Sequence, residues 1–163
     1  MGIQVKVGDV FLVPLDGESW ALGQLVSAWN DELYVAIFGQ KVETQQLDPH
    51  SVVAQEPVFL ALTLDAKLFH GDWPILGNVQ ENLSSFPQPA FKVRQSGVVY
   101  IESRDRTVSR PASSSEAEML RYRSVSSPAV IEKAVRAHFG FGALSPHYDE
   151  FPADYAYQSA RLL

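Results

Sequence analysis

Apolar residues in the first hundred positions gather in short runs, each closed by turn chemistry, and this pattern predicts β structure. Val10-Phe11-Leu12-Val13 lies between Gly8-Asp9 and Pro14 with Asp16-Gly17. The run Trp20 to Val26 follows. Leu15 to Ser19 joins the two as a hairpin, because Asp-Gly accepts positive φ at low cost. Asn30-Asp31 makes the next turn, and Leu33 to Phe38 forms a third strand ended by Gly39. Runs this continuous predict strands covered on both faces, as in a small barrel or sandwich. Pro57 to Leu64 is a further buried strand. Trp73-Pro74-Ile75-Leu76 reads as an edge strand ended by Gly77-Asn78, since proline cannot donate to a ladder. Gly97 to Glu102 is a clear strand.

The remaining segments read differently. Gln40 to Glu56 is polar and predicts a loop with a short strand or turn. Asp65 to His70 suits one helical turn capped by Asp65. Pro87 to Phe91 is a proline-marked connector, and Ser109 to Ser115 a linker. Glu116 to Arg121 suits one or two helical turns. Ser127 as N-cap, Pro128 at the first helical position and Gly140 as a stop define the best helix. Val130, Ile131, Ala134, Val135 and His138 share one stripe of it. The tail holds Tyr148, Phe151, Tyr155 and Tyr157, too aromatic for a free end, and is expected to pack. The predicted fold is mainly β within α+β: a small antiparallel barrel-like sheet with a C-terminal helix packed on it. Residues 1–108 form the β domain. Residues 109–163 are a linker, helix and aromatic tail packed on the same domain.

Composition narrows the function. Of 163 residues 46% are apolar and 20% charged, enough for a core without staples. Cysteine is absent, which excludes disulfides, thiolate metal sites and a cysteine nucleophile. No apolar run approaches the roughly 20 residues of a membrane helix. The N-terminus lacks a signal-peptide core, so no membrane partner and a cytoplasmic location are expected. The net charge of −6 is uneven: residues 1–81 carry three basic residues against eleven acids, and 82–163 carry ten against eight. The acidic half repels phosphate backbones and would attract a basic protein, so nucleic acid is not the expected partner.

Catalytic signatures are missing. There is no Gly-x-Ser-x-Gly elbow and no phosphate-binding or dinucleotide glycine turn. His50, His70, His138 and His147 lack metal-ligand spacing. No catalytic residue, metal ligand or cofactor is assigned. His70-Gly71-Asp72-Trp73 is the one local cluster suited to acid–base work, with the indole as an apolar wall. It supports an alternative, a small enzyme or ligand-binding barrel with a pocket there. The competing reading makes Gly71 a turn, Asp72 a backbone acceptor and Trp73 a core residue. Asp31-Glu32 and Asp149-Glu150 are sequence neighbours that point to opposite faces on a strand, which disfavours a shared-proton dyad. Arg104 to Arg110, interleaved with acids, reads as a solvated hairpin rim.

The order of the motifs carries a resemblance. Gly8-Asp9-Val10-Phe11 opens the domain and Gly23-Gln24-Leu25-Val26 follows on the second strand. Then come the run from Pro57, Trp73-Pro74-Ile75-Leu76-Gly77-Asn78, and Pro89-Ala90-Phe91-Lys92. From Val7 to Glu102 this series resembles the immunity protein 26 family of bacterial polymorphic toxin systems, proteins of contact-dependent competition. The resemblance implies a mostly-β cytoplasmic, non-enzymatic protein that binds a cognate protein toxin and blocks it. Such toxins are often nucleases with basic substrate-facing surfaces. Gly8, Asp9, Phe11, Gly23, Trp73, Gly77, Asn78, Phe91 and Lys92 are then the structural residues of the motif. The expected toxin-binding residues are the acids of the loops: Asp16, Glu18, Asp31, Glu32, Glu43 and Asp48. They would occlude a basic site as phosphates would.

Overall fold

The computed structural model describes residues 2–163. Its elements in chain order are β1 (Asp9–Pro14), β2 (Trp20–Trp29), β3 (Glu32–Val42), β4 (Pro57–Thr63), α1 (Ala66–Phe69), β5 (Ile75–Asn78), β6 (Ala90–Gln95), β7 (Val98–Ser103), β8 (Ser109–Pro111), α2 (Ser114–Met119), α3 (Pro128–His138) and α4 (Asp154–Ala160). Single 3-10 turns occupy Pro49–Ala54, Leu83–Ser85 and Pro146–Glu150. The fold is α+β with two antiparallel sheets, β4-β3-β2-β1-β5 and β6-β7-β8. Among the described residues no helix is long and apolar enough to cross a membrane.

The chain divides into two units, and each is discontinuous in sequence. The first joins residues 2–85 to Val125–Pro152. Its meander follows the turn chemistry: Asp16-Gly17 closes β1 onto β2 with Gly17 at φ +92°, and Asn30 at φ +54° closes β2 onto β3. The apolar runs are continuous because the strands are covered on both faces; Val10 to Val13 are all fully buried. Helix α3 covers one face. Ser127 Oγ accepts from Val130 N at its start, and Gly140 at φ +87° follows its end. Ile131, Ala134 and Val135 pack on Phe11, Val13, Leu25 and Trp73. Each branched side chain so buried contributes about 1.5–3 kcal/mol.

The five-stranded sheet stays open rather than closing into a barrel. Its β4 edge is taken up by chain returning from far along the sequence: Phe59 bridges Pro152, Leu62 bridges Val125, and Thr63 Oγ1 donates to Ser126 O at 2.8 Å. The opposite edge, β5, begins only after Pro74 and runs through Gly77 and Asn78 instead of stopping there. Asp65, expected to cap α1, has helical backbone angles and makes no capping bond. His138 ends α3 exposed rather than buried, its ring edge-on to Phe59.

The second unit joins Phe86–Ser124 to Ala153–Leu163. Ser96 and Gly97, both at positive φ, turn β6 into β7. Strand β6 begins within the segment expected to be a connector, and β8 takes the first three residues of the expected linker. Ser113 and Glu116 form a capping box that starts α2. Ala90, Ile101 and Leu120 make the core. Helix α4 is fastened to β6 by Ser159 Oγ, which accepts from Ala90 N at 3.0 Å, and by Tyr155 OH, which donates to Ala90 O at 2.6 Å. Arg104, read as a rim residue, is buried.

Candidate functional site

The motif residues of the first unit converge on two contacts. Gly8 takes φ +98°, and a side chain there would collide with Gln80, Asn78 and the Val79 carbonyl. Beside it the buried Asp9 carboxylate accepts from Lys6 N at 2.7 Å and from Asn78 Nδ2 at 3.0 Å; Asn78 Nδ2 also donates to Val7 O. This closes the N-terminal segment onto β5. The second contact lies inside the sheet. The Phe11 ring stacks on Trp73 with centroids 5.3 Å apart and 3° between planes. A Cβ on Gly23 would stand 2.5 Å from that ring, so glycine makes room for the stack. Gly77 lies against the Pro49 ring. In the second unit Phe91 is buried beneath the Arg123 guanidinium, and Lys92 Nζ donates to Ala117 O at 2.8 Å while lying over Tyr122.

The sequence alone assigns no role of their own to two buried polar groups of the first unit, although Gln24 stands within the Gly23-Gln24-Leu25-Val26 motif. Gln24 is fully buried; its Nε2 donates to Val79 O and to Asn82 Oδ1, and Asn82 Nδ2 returns a bond to Gln24 Oε1. The signal was a glutamine inside an apolar run, which burial obliges to find partners. Glu132 is the other. Its carboxylate accepts from Trp73 Nε1 at 3.0 Å, with Arg136 at 3.3 Å and Lys67 at 3.9 Å. Arg136 Nε donates to Pro14 O, so the same side chains tie α3 to β1 and α1.

The His70-Asp72-Trp73 cluster does not assemble. Trp73 has no exposed surface, so it walls no solvent-accessible pocket, while His70 and Asp72 are both exposed. His70 packs edge-on against Phe69.

The six loop acids fall into separate groups. Trp20 pairs with Val42, so the β1–β2 turn bearing Asp16 and Glu18 shares one end of the sheet with Glu43. Asp31 and Glu32 occupy the β2–β3 turn, at the other end of the ten-residue β2, about 33 Å away along an extended strand. Asp48 caps the 3-10 turn at Pro49 and lies 3.3 Å from His50, which is 3.6 Å from Glu81. Asp16 accepts from Ser19 Oγ at 2.7 Å and from Glu18 N at 3.0 Å. These bonds, the hydroxyl first, hold its carboxyl below the usual range. The His50 amide does the same for Asp48. Both stay ionised in mild acid.

Two open grooves of about 460 Å³ each lie on this unit. One is lined by Phe59, His138, Leu144 and Tyr148. The other lies beside the β2–β3 turn, between the N-terminal segment, β2, β3 and α1. A family model described as immunity protein 26 matches residues 6–99, more than half of the chain. The chain belongs to the immunity protein 26 family. Membership carries a general role in toxin immunity for this immunity protein, and the matched span contains every motif residue from Gly8 to Lys92. No curated protein and no solved structure matches it.

Proposed function

We propose that this immunity protein is a cytoplasmic, non-enzymatic inhibitor, of a bacterial polymorphic toxin system, that binds a cognate toxin and covers its basic substrate-binding surface. The toxin on this reading is a nuclease. The observation that carries the proposal is the charge of the first unit: five basic residues against fourteen acids, a balance of −9, whereas the second unit has eight against five. Three of those five cations are already engaged: Lys41 lies 3.9 Å from Glu43, and Lys67 and Arg136 both lie beside Glu132. The remaining acids therefore set the field around the unit. Such a field speeds encounter with a basic protein and repels nucleic acid. Asp16 and Glu18 with Glu43 offer one acidic end, Asp31 and Glu32 the other, and Asp48 a third position. Carboxylates can occupy positions that phosphates would take on the toxin.

The test is biochemical. The toxin domain encoded beside this gene is expected to co-purify with the chain in fixed stoichiometry, to lose nucleic-acid cleavage in the complex, and to stop killing cells that express the chain. A toxin that binds the chain yet cleaves at its full rate overturns occlusion.

A further inference from the structure

We propose that the groove beside the β2–β3 turn is where the toxin docks, and that it receives a basic segment of the toxin with an apolar side chain at its centre. This rests on the reading above and adds the contact surface. Ile3, Val5 and Val7 of the N-terminal segment line it together with Leu25, Leu33 and Phe69 of α1, and Ile3 N donates to Phe69 O at 2.9 Å, which holds that segment against α1. The lining is continuous with the core, since Leu25 and Leu33 are buried members of the main cluster. Other lining residues are exposed: Ile3 by 45%, Val7 by 38% and Phe69 by 42%. Leu64, exposed by 43%, adjoins Asp65 of the lining. Large apolar groups exposed side by side mark an interaction surface rather than ordinary decoration.

Charge names the occupant. Leu33 pairs with Thr63, so Asp65, two residues after Thr63, and Asp31-Glu32, just before Leu33, emerge at the same end of the sheet. Among the described residues three carboxylates thus flank the groove against one lysine, Lys6, while Lys67 lies 3.9 Å from Glu132. An apolar lining between carboxylates suits an apolar side chain flanked by arginine or lysine. The anchor supplies the lifetime of the complex and the rim supplies the rate of encounter.

The experiment uses the full chain and the toxin domain encoded beside it. Hydrogen exchange of the wild-type pair is expected to protect amides in Gln4 to Val7, in Asn30 to Leu33 and around Phe69. Phe69→Ala should raise the dissociation rate roughly tenfold or more with little change in association. The pair Asp31→Lys and Asp65→Lys should slow association about tenfold at low salt, while Asp16→Lys with Glu18→Lys changes it less than about threefold. Circular dichroism melts confirm that each variant folds. If the toxin is inhibited but protection and rate effects map to the Asp16 end or elsewhere, the groove assignment falls and the immunity reading stands. If the free chain dimerises and Phe69→Ala abolishes the dimer, the groove belongs to a second copy and the assignment falls. If the wild-type chain neither binds nor inhibits the toxin, both fall.

Discussion

Gln24 and Asn82 face each other in the interior of the first unit and exchange two amide hydrogen bonds, 3.0 Å in one direction and 2.8 Å in the other. They stand fifty-eight positions apart, so the pair ties the second strand to the chain just beyond β5. Gln24→Leu keeps the volume but strands the Asn82 amide and the Val79 carbonyl. We expect a loss of about 2–3 kcal/mol in urea unfolding. Gln24→Leu with Asn82→Leu should lose less than the sum of the two single changes, since no side-chain amide is then orphaned and only the Val79 carbonyl lacks its donor.

Gly23→Ala drives a methyl group into the fully buried Phe11 ring, which is also stacked on Trp73. The expected cost is about 1–3 kcal/mol. Phe11→Leu in the same chain should make Gly23→Ala nearly neutral, and a double-mutant cycle in denaturant reads the coupling directly.

The buried indole and its exposed neighbours should respond in opposite ways. Trp73→Ala removes the partner of Phe11 and leaves the Glu132 carboxylate short of its donor, at a cost of about 3–5 kcal/mol. His70→Ala and Asp72→Ala should each stay within about 0.5 kcal/mol of wild type. Thermal melts of the three variants check this.

Glu116 gives the second unit an acid limit. Arg110 binds its carboxylate through two nitrogens at 2.9 and 2.7 Å, and Ser113 N adds a third bond. The arginine contact, first among these, lowers the carboxyl from its usual 4.5 to about 2. In the unfolded chain the group takes up its proton near 4.5, while the folded one resists until about 2, so the unfolded state binds more protons between these values. The contribution is complete above about pH 4.5 and fades as pH falls toward 2. Glu116→Gln should flatten this part of the stability–pH curve by lowering its neutral-pH end toward its acid end, and only slightly because the pair is solvent-screened.

If acidic steering brings the toxin in, its association with the wild-type chain should slow about tenfold between roughly 0.05 and 0.5 M salt, while dissociation changes little. Stopped-flow mixing measures both rates. A salt-independent association rate would remove the electrostatic part of the mechanism.

Much of the first unit was legible where turn chemistry and apolar pattern agree. Asp16-Gly17 and Asn30-Asp31 fixed the meander, and Ser127-Pro128 with Gly140 fixed α3. Strand β6 was missed although Phe91-Lys92-Val93-Arg94 alternates apolar and charged residues as a half-buried strand does, because Pro87 and Pro89 point to a connector. Strand β8 is three residues of Ser-Arg-Pro with no apolar signal. The acids were legible as a surplus of charge but not as an arrangement: sequence lists Asp16 and Asp31 fifteen positions apart, and a ten-residue strand carries them to opposite ends. The groove at Phe69 escaped notice because its lining comes from separated segments, each ordinary alone.

The return of Val125–Pro152 to the first unit has a consequence for biosynthesis. Ile131, Val135 and Glu132 complete the packing around Trp73, yet they emerge from the ribosome more than fifty residues after it. The second unit waits even longer, for Tyr155 and Ser159 to reach Ala90. Neither unit can close its interior until these late residues have left the ribosome, so folding of this chain waits on the synthesis of its last elements. A gene truncated after residue 99 would retain the whole matched span and still encode a first unit without α3 or the cover on β4.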